Sequence, residues 1–135
     1  KMGAMSGDPL DLSVEVIGII PDMMQEFPQM DADPIKLPCG DSVALRCQGI
    51  DIIVNSARTQ VLSPQVFTNF GIDLAQKRYL VVKSTQHFYA AFAPIAAEVF
   101  YMDAPGALVS HYQQLPYKKA KIDKYPWLDN PFEGK

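Results

Sequence analysis

Cysteine and histidine are scarce in this chain, at two residues each. Cys39 and Cys47 match no zinc signature of paired C-x-x-C type, and so short a supply excludes a disulfide-stapled scaffold, leaving two thiols of the buried kind. His87 and His111 stand far apart and outside any H-E-x-x-H or H-x-H arrangement, so the chain offers no metal cage of its own. No glycine-rich phosphate loop is present, and no G-x-S-x-G that would define a nucleophile elbow. A basic block is missing as well. Twelve Lys and Arg stand against fifteen Asp and Glu, for a net charge of -3, and the nearest cluster, Lys118, Lys119, Lys121 and Lys124, is diluted by Asp123. Nucleic acid and an anionic membrane are therefore excluded as expected partners. No apolar run approaches the roughly 18 residues of a membrane span, and the opening KMGAMSGDP lacks the apolar core of a signal peptide. A soluble, cytoplasmic setting is the expectation.

What is present is enough for one core: 135 residues, 48% of them apolar, predict a single domain over 1–135. Residues 12–20 (LSVEVIGII) alternate and then become continuously apolar, which predicts a strand ended by Pro21. Residues 21–40 hold Pro21, Pro28, Pro34 and Pro38 and read as a proline-rich loop. Residues 42–47 and 51–56, divided by Gln48-Gly49, predict a hairpin, with 59–62 continuing its second strand past a kink. Ser63-Pro64 predicts a helix start over 65–69 that Gly71 terminates, followed by a turn of helix at 73–77. The run YLVVK at 79–83 predicts a buried strand, Ser84 or Thr85 a cap for a helix through 86–98 that Pro94 kinks or shortens, and 98–102 the next strand. Together these predict an α/β domain: a mixed β-sheet with a right-handed βαβ-like unit and short helices. Residues 111–135 read as an extended tail pinned by Trp127 and Phe132.

Two stretches concentrate polar chemistry. At Lys83, Ser84 and His87, a strand end meets a helix start, which would combine a cation, a hydroxyl and free backbone N–H groups into an anion or carboxylate site. The competing reading is a capped helix with a surface lysine and a packed histidine. Arg58 and Gln60 follow the apolar strand 51–56, where α/β proteins place ligand contacts, and Arg58 can pair bidentately with a carboxylate or serve the fold. A Cys–His dyad of Cys39 or Cys47 with His87 is compatible with the spacing, but cysteines inside strand-like runs usually pack in cores.

The series SGDPLDLSVEV, VNSARTQVLSPQVFTNFGID, VVKSTQHFYAAFAPIAAEV and YMDAPGALVSHYQQLPY resembles the C-terminal domain of the microcystinase C (MlrC) type metallopeptidases, from about Ser6 to Trp127. The family's R-x-Q falls on Arg58 and Gln60, its G-I-D on Gly71 to Asp73, its K-S-x-x-H-F on Lys83, Ser84, His87 and Phe88, and its D-x-P-G on Asp103, Pro105 and Gly106. Two positions depart from it: Ser63, where many relatives carry an acid, and Tyr89, where many carry an arginine; the second bears on substrate choice.

The resemblance implies a two-domain enzyme. Its N-terminal domain, absent from this chain, would hold a zinc ion and hydrolyse a peptide or amide bond; the present domain would complete or close the substrate cleft and be inactive alone. Arg58, Gln60, Lys83, Ser84 and His87 are the substrate-binding candidates, with no catalytic or metal residue and no cofactor in this chain. Lys1 looks like the middle of a protein, in keeping with an excised domain. The expected partners are that N-terminal domain, a peptide or amide substrate, and a second copy of the chain in a homo-oligomer. The alternative is a non-catalytic module that binds an anionic ligand or mediates oligomerisation.

Overall fold

In the computed structural model, which describes residues 8–29, 31–102, 111, 113 and 115–133, three strands pair antiparallel in the order β1-β2-β3. They are β1 (Glu15–Phe27), β2 (Ile35–Cys47) and β3 (Ile50–Asn55). The β2–β3 hairpin closes as its sequence predicts. Cys47 faces Ile50, and Gln48 and Gly49 both take positive φ, 49° and 81°, the pair a two-residue primed turn requires.

The reading of 21–40 as a proline-rich loop is corrected: only 28–34 separates two long strands. The physical reason is a set of bulges. Ile20 faces Ser42 and Met23 faces Gly40, so Pro21 and Asp22 together oppose the single residue Asp41. There Pro21 forfeits no ladder bond, and Asp22, at φ 45°, donates its N–H to Asp41 Oδ1 at 3.2 Å. A second shift between Met23 and Met24 lets Pro38 pair opposite Met24 in the central strand.

After β3 the chain forms α1 (Gln65–Thr68), entered through Ser63, whose Oγ accepts the Gln65 N–H at 3.3 Å. It ends as Gly71 predicts. At φ 71°, Gly71 donates to Thr68 and Ile72 donates to Phe67, the paired bonds of a Schellman cap. A 3-10 turn at Leu74–Gln76 follows, with the Asp73 carboxylate accepting the Ala75 N–H at 3.0 Å. α2 (Tyr89–Phe92) is far shorter than the helix expected over 86–98; it passes into a 3-10 turn at Ala93–Ile95, where Pro94 lacks the N–H that further α-helix needs. Neither Ser84 nor Thr85 caps it, because the helix starts at Tyr89 with Phe88 before it.

The expected mixed sheet and βαβ-like unit do not form among the described residues: the sheet is antiparallel throughout, and 79–83 and 98–102 join no ladder. Residues 79–84 nevertheless alternate as a strand does, with Tyr79, Val81 and Lys83 exposed and Leu80, Val82 and Ser84 half-buried.

The core lies where α1 covers the bulged end of the sheet. Met23, Cys39 and Val66 are buried together, with Ile20, Ile53, Val61, Phe67 and Phe70 around them. Phe67 meets Phe92 edge to face at 6.3 Å, which seats α2 on α1. Met23 and Val66, both buried, contribute about 1.5–3 kcal/mol each by leaving water, and the half-buried side chains around them less. Two side-chain bonds fix α1 to β1: Glu26 N–H donates to Gln65 Oε1 at 2.8 Å, and Asn69 Nδ2 to the Met24 carbonyl at 3.3 Å.

All of this belongs to one compact unit, Asp11–Phe100; the chain ends make up a second. In the tail, Tyr117 and Trp127 pack edge to face at 5.6 Å and Gln113 Nε2 donates to the Pro126 carbonyl at 2.8 Å. Trp127 packs against Tyr117 within the tail, and Phe132 is 75% exposed. Among the described residues no helix is long and apolar enough to cross a membrane.

Candidate functional site

The R-x-Q segment leaves the sheet just after β3. Ser56 N–H to Asp41 and Ala57 N–H to Cys39, at 2.9 and 3.0 Å, prolong the pairing by two residues; beyond them no strand continues, against the expectation for 59–62. A side chain takes the place of the missing ladder. Gln25, 0% exposed, donates Nε2–H to the Gln60 carbonyl at 2.7 Å, and its Oε1 accepts the N–H groups of Leu62 and Ser63 at 2.9 and 3.2 Å. A buried amide is tolerated only when satisfied, and here it is satisfied by the segment it orders.

Fixed in this way, Gln60 reaches the K-S motif: its Oε1 accepts the Ser84 Oγ–H at 3.0 Å. The structure therefore brings together Gln60 and Ser84 of the five candidates. Arg58, Lys83 and His87 are exposed, and none makes a hydrogen bond or ion pair with another described residue. The Ser84 N–H donates to the Val82 carbonyl at 3.1 Å and is not free for a ligand. The four-residue α2 begins five residues beyond Ser84, so it brings no useful dipole to this point. Asp103, Pro105 and Gly106 of the D-x-P-G motif lie outside the described residues.

Sequence reasoning missed Gln25 because the strand was ended at Pro21. Carried through the bulge, the alternation of Met23 and Gln25 on the buried face would have flagged it. It also missed an ionic cluster at the far end of the sheet. Asp51, whose side chain is 5% exposed, accepts Arg46 Nε and Nη2 at 2.7 and 3.2 Å and Lys77 Nζ at 2.5 Å. These bonds, Arg46's first and then Lys77's, lower its pKa from 3.8 to about 2. The same pairing raises that of Arg46. Burial pushes the Cys39 thiol up, against a hydrogen bond with Gln25 that acts the other way, so Cys39 is a poor nucleophile.

No three His, Cys, Asp or Glu side chains among the described residues gather as a metal site. Among the described residues the donors are ill placed for a zinc ion: Cys39 is buried in the core, Asp51 is spent on two cations, and His87 has no described carboxylate partner.

What remains is a surface site on a small β-rich domain, built of polar side chains from two loops and ordered from below by a buried amide. A family model described as the MlrC C-terminus matches residues 1–119, and the chain belongs to that family. Among curated proteins, Microcystinase C of Sphingomonas sp is 30% identical over 115 residues, which is 84% of this chain and 22% of that protein. The chain thus spans about a fifth of the length of that relative. No solved structure matches it.

Proposed function

We propose that this domain is the C-terminal part of a cytoplasmic, zinc-dependent hydrolase of peptide or amide bonds. The metal and its ligands belong to an N-terminal domain, and the present residues complete or close the substrate cleft. The observation that carries the reading is the extent of the match: nearly the whole chain aligns with a fifth of a relative named as a microcystinase. In the longer protein the extended runs 79–83 and 98–102 become strands of a mixed α/β sheet, which accounts for their strand-like sequences. Arg58, Gln60, Lys83, Ser84 and His87 then face substrate.

The test compares the longer protein with this chain alone on peptide substrates. Hydrolysis by the longer protein, abolished by chelation and absent from the chain alone, supports the reading; hydrolysis by the chain alone overturns it. Where Lys83 stabilises charge in the transition state, Lys83→Ala lowers kcat on the order of a hundredfold; where it positions substrate, KM rises with kcat nearly unchanged.

The second reading, a non-catalytic module for an anionic ligand, draws on the exposed and uncommitted Arg58, Lys83 and His87. A metal-independent affinity for small carboxylates in the chain alone favours it.

A further inference from the structure

The hydroxyl proton of Ser84 is already given to Gln60 Oε1, at 3.0 Å. This reverses what Ser84 can offer a ligand. A serine meant for a carboxylate or an oxyanion must donate, whereas this one, held by Gln60, turns only lone pairs outward. The Gln60 amide is left in the complementary state. Its Oε1 is occupied, and neither N–H of Nε2 has an acceptor among the described residues. One hydrogen-bonded pair therefore presents two donors on Gln60 beside an acceptor on Ser84, with no net charge.

That pattern is the complement of a peptide group. An extended residue turns its own N–H and C=O to the same side, as strands do when they exchange both bonds. Its N–H meets Ser84 Oγ and its carbonyl meets Gln60 Nε2. The pair is also pre-ordered: the Gln60 backbone is tied at its carbonyl to the fully buried Gln25, so little freedom is lost on binding. A carboxylate satisfies only half of the pattern, since it can accept from Gln60 Nε2 but meets lone pairs on Ser84 Oγ. We propose that Gln60 and Ser84 form a neutral subsite that binds the main-chain amide of an extended peptide, distinct in chemistry from the cationic Arg58 and Lys83 beside them in sequence. This deepens the peptidase reading above and rests on it for the identity of the ligand.

The experiment titrates the isotopically labelled chain with acetyl-trialanine methylamide, a blocked neutral peptide, and in parallel with sodium acetate, following the Gln60 side-chain and Ser84 backbone N–H resonances. Saturable shifts with the blocked peptide and none with acetate are expected. Gln60→Glu keeps the acceptor for Ser84 but replaces the donating NH2 with oxygen, and at an exposed position it leaves the melting temperature unchanged. It should weaken peptide binding at least fivefold, and Ser84→Ala should do likewise. Shifts at these groups with acetate alone, no shift with either probe, or Gln60→Glu binding the peptide as the native chain does would each overturn the proposal. The peptidase reading stands or falls separately, on hydrolysis by the longer protein.

Discussion

Gln25 and Gln60, 35 residues apart in sequence, are joined by a 2.7 Å hydrogen bond from the Gln25 side chain to the Gln60 main chain. The other end of the same amide holds Leu62 and Ser63. Gln25→Leu fills the same space but strands two N–H groups in the interior, at about 1–3 kcal/mol each. We expect a loss of about 2–4 kcal/mol in urea denaturation. A loss under about 0.5 kcal/mol would mean that the segment finds other partners.

The Asp51 cluster sets an acid limit. Its folded pKa of about 2 lies below the ordinary 3.8, so the unfolded chain binds the extra proton between those values and stability falls as pH falls. The contribution is whole above pH 3.8 and gone below about 2. Asp51→Asn should therefore be less stable than the native chain at pH 6, with the gap closing as pH falls through that window. A gap independent of pH would deny the carboxylate its role.

Two glycines with similar backbones should respond differently to alanine. Gly40, at φ 68°, sits so close to the continuation of β3 that a Cβ would collide with Ser56 Oγ and lie 3.0 Å from Ala57 N. Gly71, at φ 71°, has open space around it. Gly71→Ala should cost about 1–2 kcal/mol for the left-handed conformation alone. Gly40→Ala adds overpacking, for a total of about 2–4 kcal/mol. Equal losses in thermal melts would contradict this ordering.

Zinc content is the simplest check on the division of labour. After dialysis against buffer without chelator, the chain alone should carry far less than one zinc by elemental analysis, because its described residues assemble no three-donor set. Stoichiometric zinc would return the catalytic centre to this domain.

How much the sequence revealed depended on the range of the interaction involved. Gln48-Gly49, Ser63-Pro64 and Gly71 act through their own backbone angles, and the elements they punctuate are where their chemistry predicts. Pro21 misled because its effect was settled 20 residues away, by Asp41 receiving the bulge. The run at 79–83 has the composition of a buried strand and keeps the alternation of one, yet strand identity needs a neighbour that composition does not specify. At the site, residue types were legible but not their arrangement. Gln60 and Ser84 were both named for their chemistry, while the direction of the Ser84 proton, which decides what the pair can bind, follows only from their contact.

Val81 and Tyr79 are 83% and 74% exposed on an extended stretch that no ladder pairs. Such a stretch is a template for other strands, so the isolated domain carries an aggregation hazard that its modest net charge does little to offset. Arg78 and Lys83 bracket the apolar residues, and Arg78 folds over the Tyr79 ring at 5.3 Å. They act as gatekeepers, and neutralising either one will cost solubility long before it costs folding stability.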